Sequence, residues 1–443
     1  SSILNPVAMQ ITEAVIEKLS HEGRGITHID GKATFVFGAL AGERVRFRYT
    51  RRRGRYDEAE VVEVLEPAAE RTEPACPHFS ACGGCSLQHV SNGAQLAHKQ
   101  TVMLEQLQHA VGIAPETVLP PLHGPQFGYR RKARLSARYV VKKGRLVLGF
   151  RERNGRYVAD LDSCPVLDPA VGSKLQELRA VLDALSVRDQ IPQIEVACGD
   201  EADVLVVRHL KALSDSDRNS LRDFEQRSGL RCYCQPNGPD SIHPLSEAVE
   251  LNYKIAMQGG RDLKVTFSPS NFTQVNFAIN HGMIEQVLSV LEPDAGDSVL
   301  DLFCGLGNFS LPLATRAARL TGVEGDAGLV ARADQNALLN GITNVDFRAA
   351  DLSSADVIDG LNTSGFDRVL LDPPRTGAAA VVKLLRLDSV QRLVYVSCNP
   401  ATLARDAAVL VKERGLILRS AGIMDMFPHT AHVESLAMFE PRS

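Results

Sequence analysis

The sequence predicts a multidomain protein: a small N-terminal β-barrel, a central α+β region and a C-terminal α/β domain on a doubly wound, Rossmann-like sheet. Three observations carry this. A chain of 443 residues exceeds what a single core usually serves. Its first 66 residues break into strand-length runs separated by turn residues. From residue 297 onward, strand-like and helix-like stretches alternate, which implies parallel strands joined by crossover helices. The expected boundaries are 8–66, 67–261 and 262–443.

Composition is that of a globular protein, 44% hydrophobic and 23% charged. No apolar run reaches the roughly 18 residues that a membrane helix needs. No secretory signal opens the chain, although it begins at Ser1 rather than Met. Nine cysteines, an odd number spread over a long chain, suit a reducing compartment with metal-bound or reactive thiols, so the cytoplasm is the expected location. The net charge of −4 argues against a nucleic-acid partner until its distribution is read. Residues 44–55 carry seven Arg and residues 130–145 eight Lys/Arg, with no acid in either window, which leaves −19 for the rest of the chain. Such asymmetry points to localised anion recognition, and Phe47, Tyr49 and Tyr139 interleave the charges.

In the N-terminal region, AMQITEAVIEKLS, KATFVFG, ERVRFRYT and EAEVVEVLE read as strands. In the third, Val45, Phe47 and Tyr49 alternate with Arg44, Arg46 and Arg48, so one face is buried and the other basic. A small barrel with a basic strand suits RNA. After a polar linker at 67–75 comes CPHFSACGGCSLQH, in which Cys76, Cys82 and Cys85 are spaced C-x5-C-x2-C; Cys164 follows much later. Three clustered thiols and a distant fourth match a four-coordinate metal site, zinc or iron–sulfur, which spacing alone does not separate. Cys198, Cys232, Cys234 and Cys304 show no such pattern and read as structural. The central region alternates strands (127–160, 192–197, 203–209) with helices (91–110, 170–186, 214–228).

In the C-terminal region, DLFCGLGNF (301–309) ends a strand and opens a helix. Gly305 and Gly307 let a ligand lie against the backbone. Glu324 ends the next strand, 19 residues past Gly305, where a carboxylate can hold two ribose hydroxyls. Asp351 ends the third strand, placed to read an adenine edge, and Asp372 in LLDPPR ends the fourth. No basic pocket for a pyrophosphate accompanies them, so S-adenosylmethionine fits better than a dinucleotide.

Cys398, in VYVSCNPATLARD, closes the fifth strand just before a helix. There a helix N-terminus would lower a thiol's pKa. A methyltransferase needs a nucleophile of its own only when the acceptor atom is not one, as at carbon 5 of a pyrimidine. Thiolate addition at carbon 6 activates carbon 5, and a general base must then remove its proton. Glu434 in MDMFPHTAHVES is the candidate base. A zinc site of His429, His432 and Glu434 is the rival reading.

Together DLFCGLGNF, LLDPPR, VSCNPATLARD and FPHTAHVES resemble the motifs of the RNA uridine-5-methyltransferases, and SPSNFTQVN is similar to the segment that opens their catalytic domain. The likeness covers nearly the whole chain and is strongest to the branch acting on 23S ribosomal RNA. It implies an N-terminal TRAM domain (an OB-like barrel), a central iron–sulfur domain and a C-terminal S-adenosylmethionine-dependent domain. By position, Cys398 would be the nucleophile and Glu434 the base. Gln274, Phe303, Asn308, Glu324, Asp351 and Asp372 would line the donor site. Gln274 and Asp372 would also reach the uracil, and Phe272 would stack near a flipped base. Asp351 stands where close relatives can carry Asn; either side chain can accept from the adenine amino group. Cys76, Cys82, Cys85 and Cys164 would hold a [4Fe–4S] cluster. The implied partner is 23S rRNA and the implied state a monomer. Two other classes stay in view: an iron–sulfur oxidoreductase, which lacks a flavin or nicotinamide fingerprint, and an RNA-binding redox protein, against which the intact Cys398, Asp372 and Glu434 stand.

Overall fold

A computed structural model describes residues 11–112, 114–153, 155–362 and 365–442. The expected start of the first strand, residues 8–10, lies outside them. The chain divides into two compact units: one runs to Val102 and takes in Phe427–His432, and the other holds Met103–Met426 and the segment from Val433. Among the described residues no helix is long and apolar enough to cross a membrane.

The first unit is built on a six-stranded sheet in which Ile11–Val15 pairs with Arg44–Arg52, and that strand with Tyr56–Glu66. Strict alternation puts Val45, Phe47 and Tyr49 into a core with Ile16, Val36 and Ala59. The arginines on the outer face are not a bare positive stripe. Arg44 pairs with Glu13 and Glu66, Arg46 with Glu13 and Glu63, and Arg48 with Glu60. Antiparallel register sets a glutamate of the neighbouring strand beside each arginine, and opposite charges on facing strands attract. Among the described residues of the basic window, Arg51 and Arg55, near the hairpin end, make no ion pair and are exposed.

The expected four-cysteine metal centre is not formed, and the central iron–sulfur domain is corrected accordingly. Among the described residues no three or more His, Cys, Asp or Glu side chains are grouped so that they could hold a metal ion. Cys76, Cys82 and Cys85 belong to the first unit and Cys164 to the second. Spacing along a loop makes thiols neighbours in sequence without making four of them converge. Cys82 Sγ instead accepts the Gly84 N–H at 3.3 Å. Cys164 is buried, and burial raises its thiol pKa above the ordinary value. The same finding removes the zinc reading of His429, His432 and Glu434. His429 is instead held by Gln95, whose Oε1 accepts the His429 N–H at 2.8 Å.

The second unit holds two sheets and a ribbon. A mixed six-stranded sheet runs in the order His243–Pro244, Arg231–Gln235, Asp203–Arg208, Gln193–Cys198, Lys132–Val140, Arg145–Gly149, and helices Leu175–Ala184 and Asp215–Ser228 pack on it. Asp215–Ser228 starts at a capping box formed by Ser214 and Asp217 and stops at Gly229, whose left-handed backbone (φ 76°) ends helices without a Cβ penalty. The ribbon pairs Leu251–Ile255 with Leu263–Phe267.

The larger sheet has eight strands, in the order Val345–Ala349, Arg319–Glu324, Ser298–Leu302, Arg368–Leu371, Arg392–Ser397, Glu434–Pro441, Leu416–Met424, Thr117–Val118. The first five are parallel; Glu434–Pro441 runs antiparallel to them, and Leu416–Met424 pairs antiparallel with Glu434–Pro441. Every residue of Ser298–Leu302 and Arg368–Leu371 is buried, as strands covered on both faces require. Because Glu434–Pro441 runs against Arg392–Ser397 with Ser435 opposite Ser397, its first residue lies at the carboxyl rim of the parallel strands. One helix absent from the sequence reading, Ala355–Leu361, joins the third and fourth parallel strands. Its seven residues are too few to display a helical period.

Candidate active site

The carboxyl rim borders a cavity of about 810 Å³, within the range of small-molecule sites. Its lining includes Gln274, Phe303, Asn308, Glu324, Asp351 and Asp372, together with Cys398, Glu434 and Phe272. Each non-metal site residue expected from the sequence thus borders one cavity, contributed by strand ends and the turns that follow them.

The glycine turn is shaped by backbone that a side chain would oppose. Gly305 and Gly307 have φ of 57° and 90°, and Phe303, a non-glycine, is held at 67°. Glu324 fixes this turn: its Oε2 accepts the Gly305 N–H at 3.1 Å, and its Oε1 accepts the Asp326 N–H at 3.1 Å. Asn336 braces it from below, donating to the Leu306 carbonyl while its oxygen takes the N–H and hydroxyl of Thr266 on the ribbon. Asn308 is oriented by two partners. Its Oδ1 accepts from the Tyr253 hydroxyl at 2.7 Å and from Asn280 at 2.9 Å. Asp351 accepts the Ser353 N–H and hydroxyl, and these bonds hold its carboxyl below the usual pKa.

Part of the second basic window supports the cavity wall. Lys132 Nζ donates to the carbonyls of Pro269, at 2.8 Å, and of Asn271. Arg131 N–H donates to the Val275 carbonyl, and its guanidinium lies 4.4 Å from the Phe277 ring centre. The segment so held carries Gln274 and Phe272, and Phe272 is 70% exposed.

Cys398 follows strand Arg392–Ser397 and precedes helix Pro400–Ala408. Asn399 caps the helix by accepting the Ala401 N–H, and Pro400 takes the first helical position, where no N–H is needed. The cysteine stands outside the helix, half-buried, and its thiol is pushed up to about 11 by burial first and then by Glu434 and Asp372; Arg375 pulls the other way. The expected lowering by the helix N-terminus is therefore outweighed. Asp372 is raised well above the ordinary carboxyl value by desolvation and by Glu434, Asp301 and Glu324. Asp301, fully buried with Oδ1 unpartnered and Oδ2 taking the Ser310 hydroxyl, is raised to about 7, chiefly by burial. Around this cavity, neighbouring carboxyls add to burial in raising the proton affinity of Asp372 and Asp301. That is a site short of positive charge, and S-adenosylmethionine, with a sulfonium and an ammonium, suits it.

Two lining residues escaped the sequence reading. Tyr253 sits on the ribbon, far in sequence from the glycine turn, and orients Asn308. Arg375, in LLDPPR, is the one Lys or Arg among the described residues that line the cavity. The signal for it was there, a cation directly after two prolines, but nothing in the sequence says where such a turn points it.

A family model described as tRNA (Uracil-5-)-methyltransferase matches residues 245–442. The 23S rRNA (uracil(1939)-C(5))-methyltransferase RlmD of Alkalilimnicola ehrlichii is 52% identical over 428 residues, 97% of this chain and 96% of that protein. That of Nitrosococcus oceani is 50% identical over 438 residues, 98% and 97% of the two chains. Among solved structures, a Pyrococcus abyssi tRNA (uracil-54, C5)-methyltransferase in complex with S-adenosyl-L-homocysteine superposes with a TM-score of 0.73, covering 97% of this chain and all of that one. At 23% identity it attests the fold. With relatives this similar over almost its full length, the chain belongs to the RlmD family of 23S rRNA (uracil(1939)-C(5))-methyltransferases.

Proposed function

We propose that this protein methylates carbon 5 of a uridine in 23S rRNA, the position borne in its relatives' names being 1939, with S-adenosylmethionine as donor. The observation that carries the reading is the meeting of Cys398, Glu434 and Asp372 at the rim of the cavity that Glu324, Asp351, Asn308, Phe303 and Gln274 also line. Glu324 would hold the ribose, Asp351 the adenine edge, and the acidic surround the sulfonium and ammonium. When bound, the donor supplies a methyl group with an electrophilic carbon.

Cys398 first gives up its proton to water. Its sulfur then bonds to uracil carbon 6, and the carbon 5–carbon 6 π pair moves toward O4 as an enolate. Asp372, whose proton affinity is raised by burial and by Glu434, can donate an O–H hydrogen bond to a uracil carbonyl when protonated. Carbon 5 takes the methyl group. Glu434 removes the remaining carbon 5 proton; that electron pair restores the carbon 5–carbon 6 double bond, and the carbon–sulfur bond breaks to return the thiolate. A carbon inside folded RNA is out of reach, so the uridine must be extruded, with Phe272 placed to stack on it. The first unit serves as a TRAM-like RNA grip, and the cytoplasm, where ribosomal RNA is processed, is the site of action.

The test is to map 5-methyluridine in 23S rRNA from cells with and without this chain. Loss of the modification at one uridine on deletion, and its return when the purified protein and donor are added, is the expected result. An unchanged map would overturn the reading.

A further inference from the structure

We propose that Arg375 is the counter-cation of the Cys398 thiolate, and that a clamp between two chain segments holds it at that post. The inference rests on Cys398 being the nucleophile and explains how so acidic a site lets a thiol ionise.

The groups that face Cys398 are mostly of the wrong sign. Glu434 and Asp372 both oppose its ionisation; Arg375 favours it, and no other Lys or Arg among the described residues borders the cavity. A positive charge nearby is the ordinary means of stabilising a thiolate. Arg375 lies on a turn after Pro373 and Pro374, outside any helix or strand that would fix it. The structure instead ties that turn to the helix that follows Cys398. Asn399, the next residue after the nucleophile, donates from Nδ2 to the Arg375 carbonyl at 3.2 Å. Thr402 Oγ1 lies 3.3 Å from the same carbonyl and 3.1 Å from that of Asn399, so its one proton is shared between them, and Arg405 donates to the Thr376 carbonyl at 2.9 Å. Asp406, fully buried, accepts the Ala378 N–H and the Tyr395 hydroxyl, each at 2.7 Å.

Gly377 closes the clamp. Its φ is 80°, and a Cβ there would lie 2.6 Å from Asp406 Oδ2 and still closer to Arg405, so the turn lies flush against the helix only as glycine. The cation and the thiol are thus carried on one braced unit. Arg375 is exposed in the free chain, where water weakens its pull. When RNA covers the cavity and displaces that water, the attraction strengthens, so the thiol is best activated when substrate is present.

The test uses the full chain without RNA, so it reads the thiol and not turnover. Iodoacetamide labelling of the tryptic peptide Leu393–Arg405, which contains Cys398 alone among the cysteines, is followed by mass spectrometry from pH 7 to 10. R375Q is expected to move the labelling profile up by about half a pH unit, roughly a threefold loss of thiolate at a given pH, and R375K to keep it near wild type. A profile for R375Q that superimposes on wild type overturns the proposal. Should R375Q fold poorly by circular dichroism, Thr402→Val reads the same link with the charge kept: a shift in the same direction supports the clamp, and no shift overturns it. Loss of the Arg375 effect leaves the methylation reading intact, whereas full activity in Cys398→Ala would remove that reading by itself.

Discussion

The Cys398 thiol is pushed up to about 11 by burial and then by Glu434 and Asp372, and this sets what single-residue changes should do. Cys398→Ala is expected to abolish methyl incorporation into 23S rRNA while donor binding, measured calorimetrically, stays within about threefold of wild type, because the sulfur takes no part in holding the donor. Since thiolate is the minor form below its pKa, its fraction grows about tenfold per pH unit there. Single-turnover methylation should therefore rise from pH 7 to 9; a rate that falls over that range would contradict thiolate attack. At this scale the place of the candidate nucleophile was legible, because a cysteine closing a parallel strand ahead of a helix falls at the same rim as the glycine turn and three strand-end carboxylates. Its ionisation was not. The helix that should have helped begins two residues on, at Pro400, and Glu434 and Asp372 approach through folds of the chain that no local pattern records.

The segments Asp372–Ala378 and Ser397–Asp406 are hydrogen-bonded to each other around Cys398, the proposed nucleophile. Gly377→Ala is expected to cost about 2 kcal/mol of stability, seen as a lower thermal midpoint, because it adds both a left-handed strain and an overlap with Asp406. Activity should fall with it even though every residue proposed for catalysis is unchanged. Legibility follows length and spacing here. The parallel strands could be read from apolar runs such as Val369–Leu371 and Leu393–Val396, and a capped, glycine-stopped helix such as Asp215–Ser228 carries its signals at both ends. The helix Ala355–Leu361 carries neither period nor a side-chain cap, and the clamp joins residues 24 and 27 positions apart through two hydrogen bonds to one carbonyl.

Across the molecule, charge is arranged differently from what sequence windows imply. Seven arginines at 44–55 looked like an RNA face, yet Arg44, Arg46 and Arg48 already face glutamates across the sheet, and Lys132 and Arg131 brace the wall that carries Gln274. Such pairings are invisible in a window because the acids lie on other strands. RNA affinity should still fall with salt, as contacts to phosphate demand. The residues that set the slope are expected to be those left open at the hairpin end. Arg51→Ala and Arg55→Ala should each lower the slope of log K against log salt by about one, and Arg46→Ala should leave it nearly unchanged; equal effects from all three would contradict the pairing. The cysteine motif teaches the same lesson: thiols that spacing gathers were read as one metal centre, and the described residues form none.

The central claim, that a thiol of this chain carries the uracil while Glu434 releases it, is tested most directly by Glu434→Gln. That variant keeps the shape of the rim but cannot take the carbon 5 proton. Incubated with 23S rRNA and S-adenosylmethionine, it is expected to accumulate a covalent RNA–protein adduct that survives a denaturing gel. After nuclease and trypsin digestion, the nucleotide should be found on the peptide Leu393–Arg405, attached at Cys398 and bearing one extra methyl group. Normal turnover by Glu434→Gln, or an adduct mapped to any other cysteine, would contradict the account.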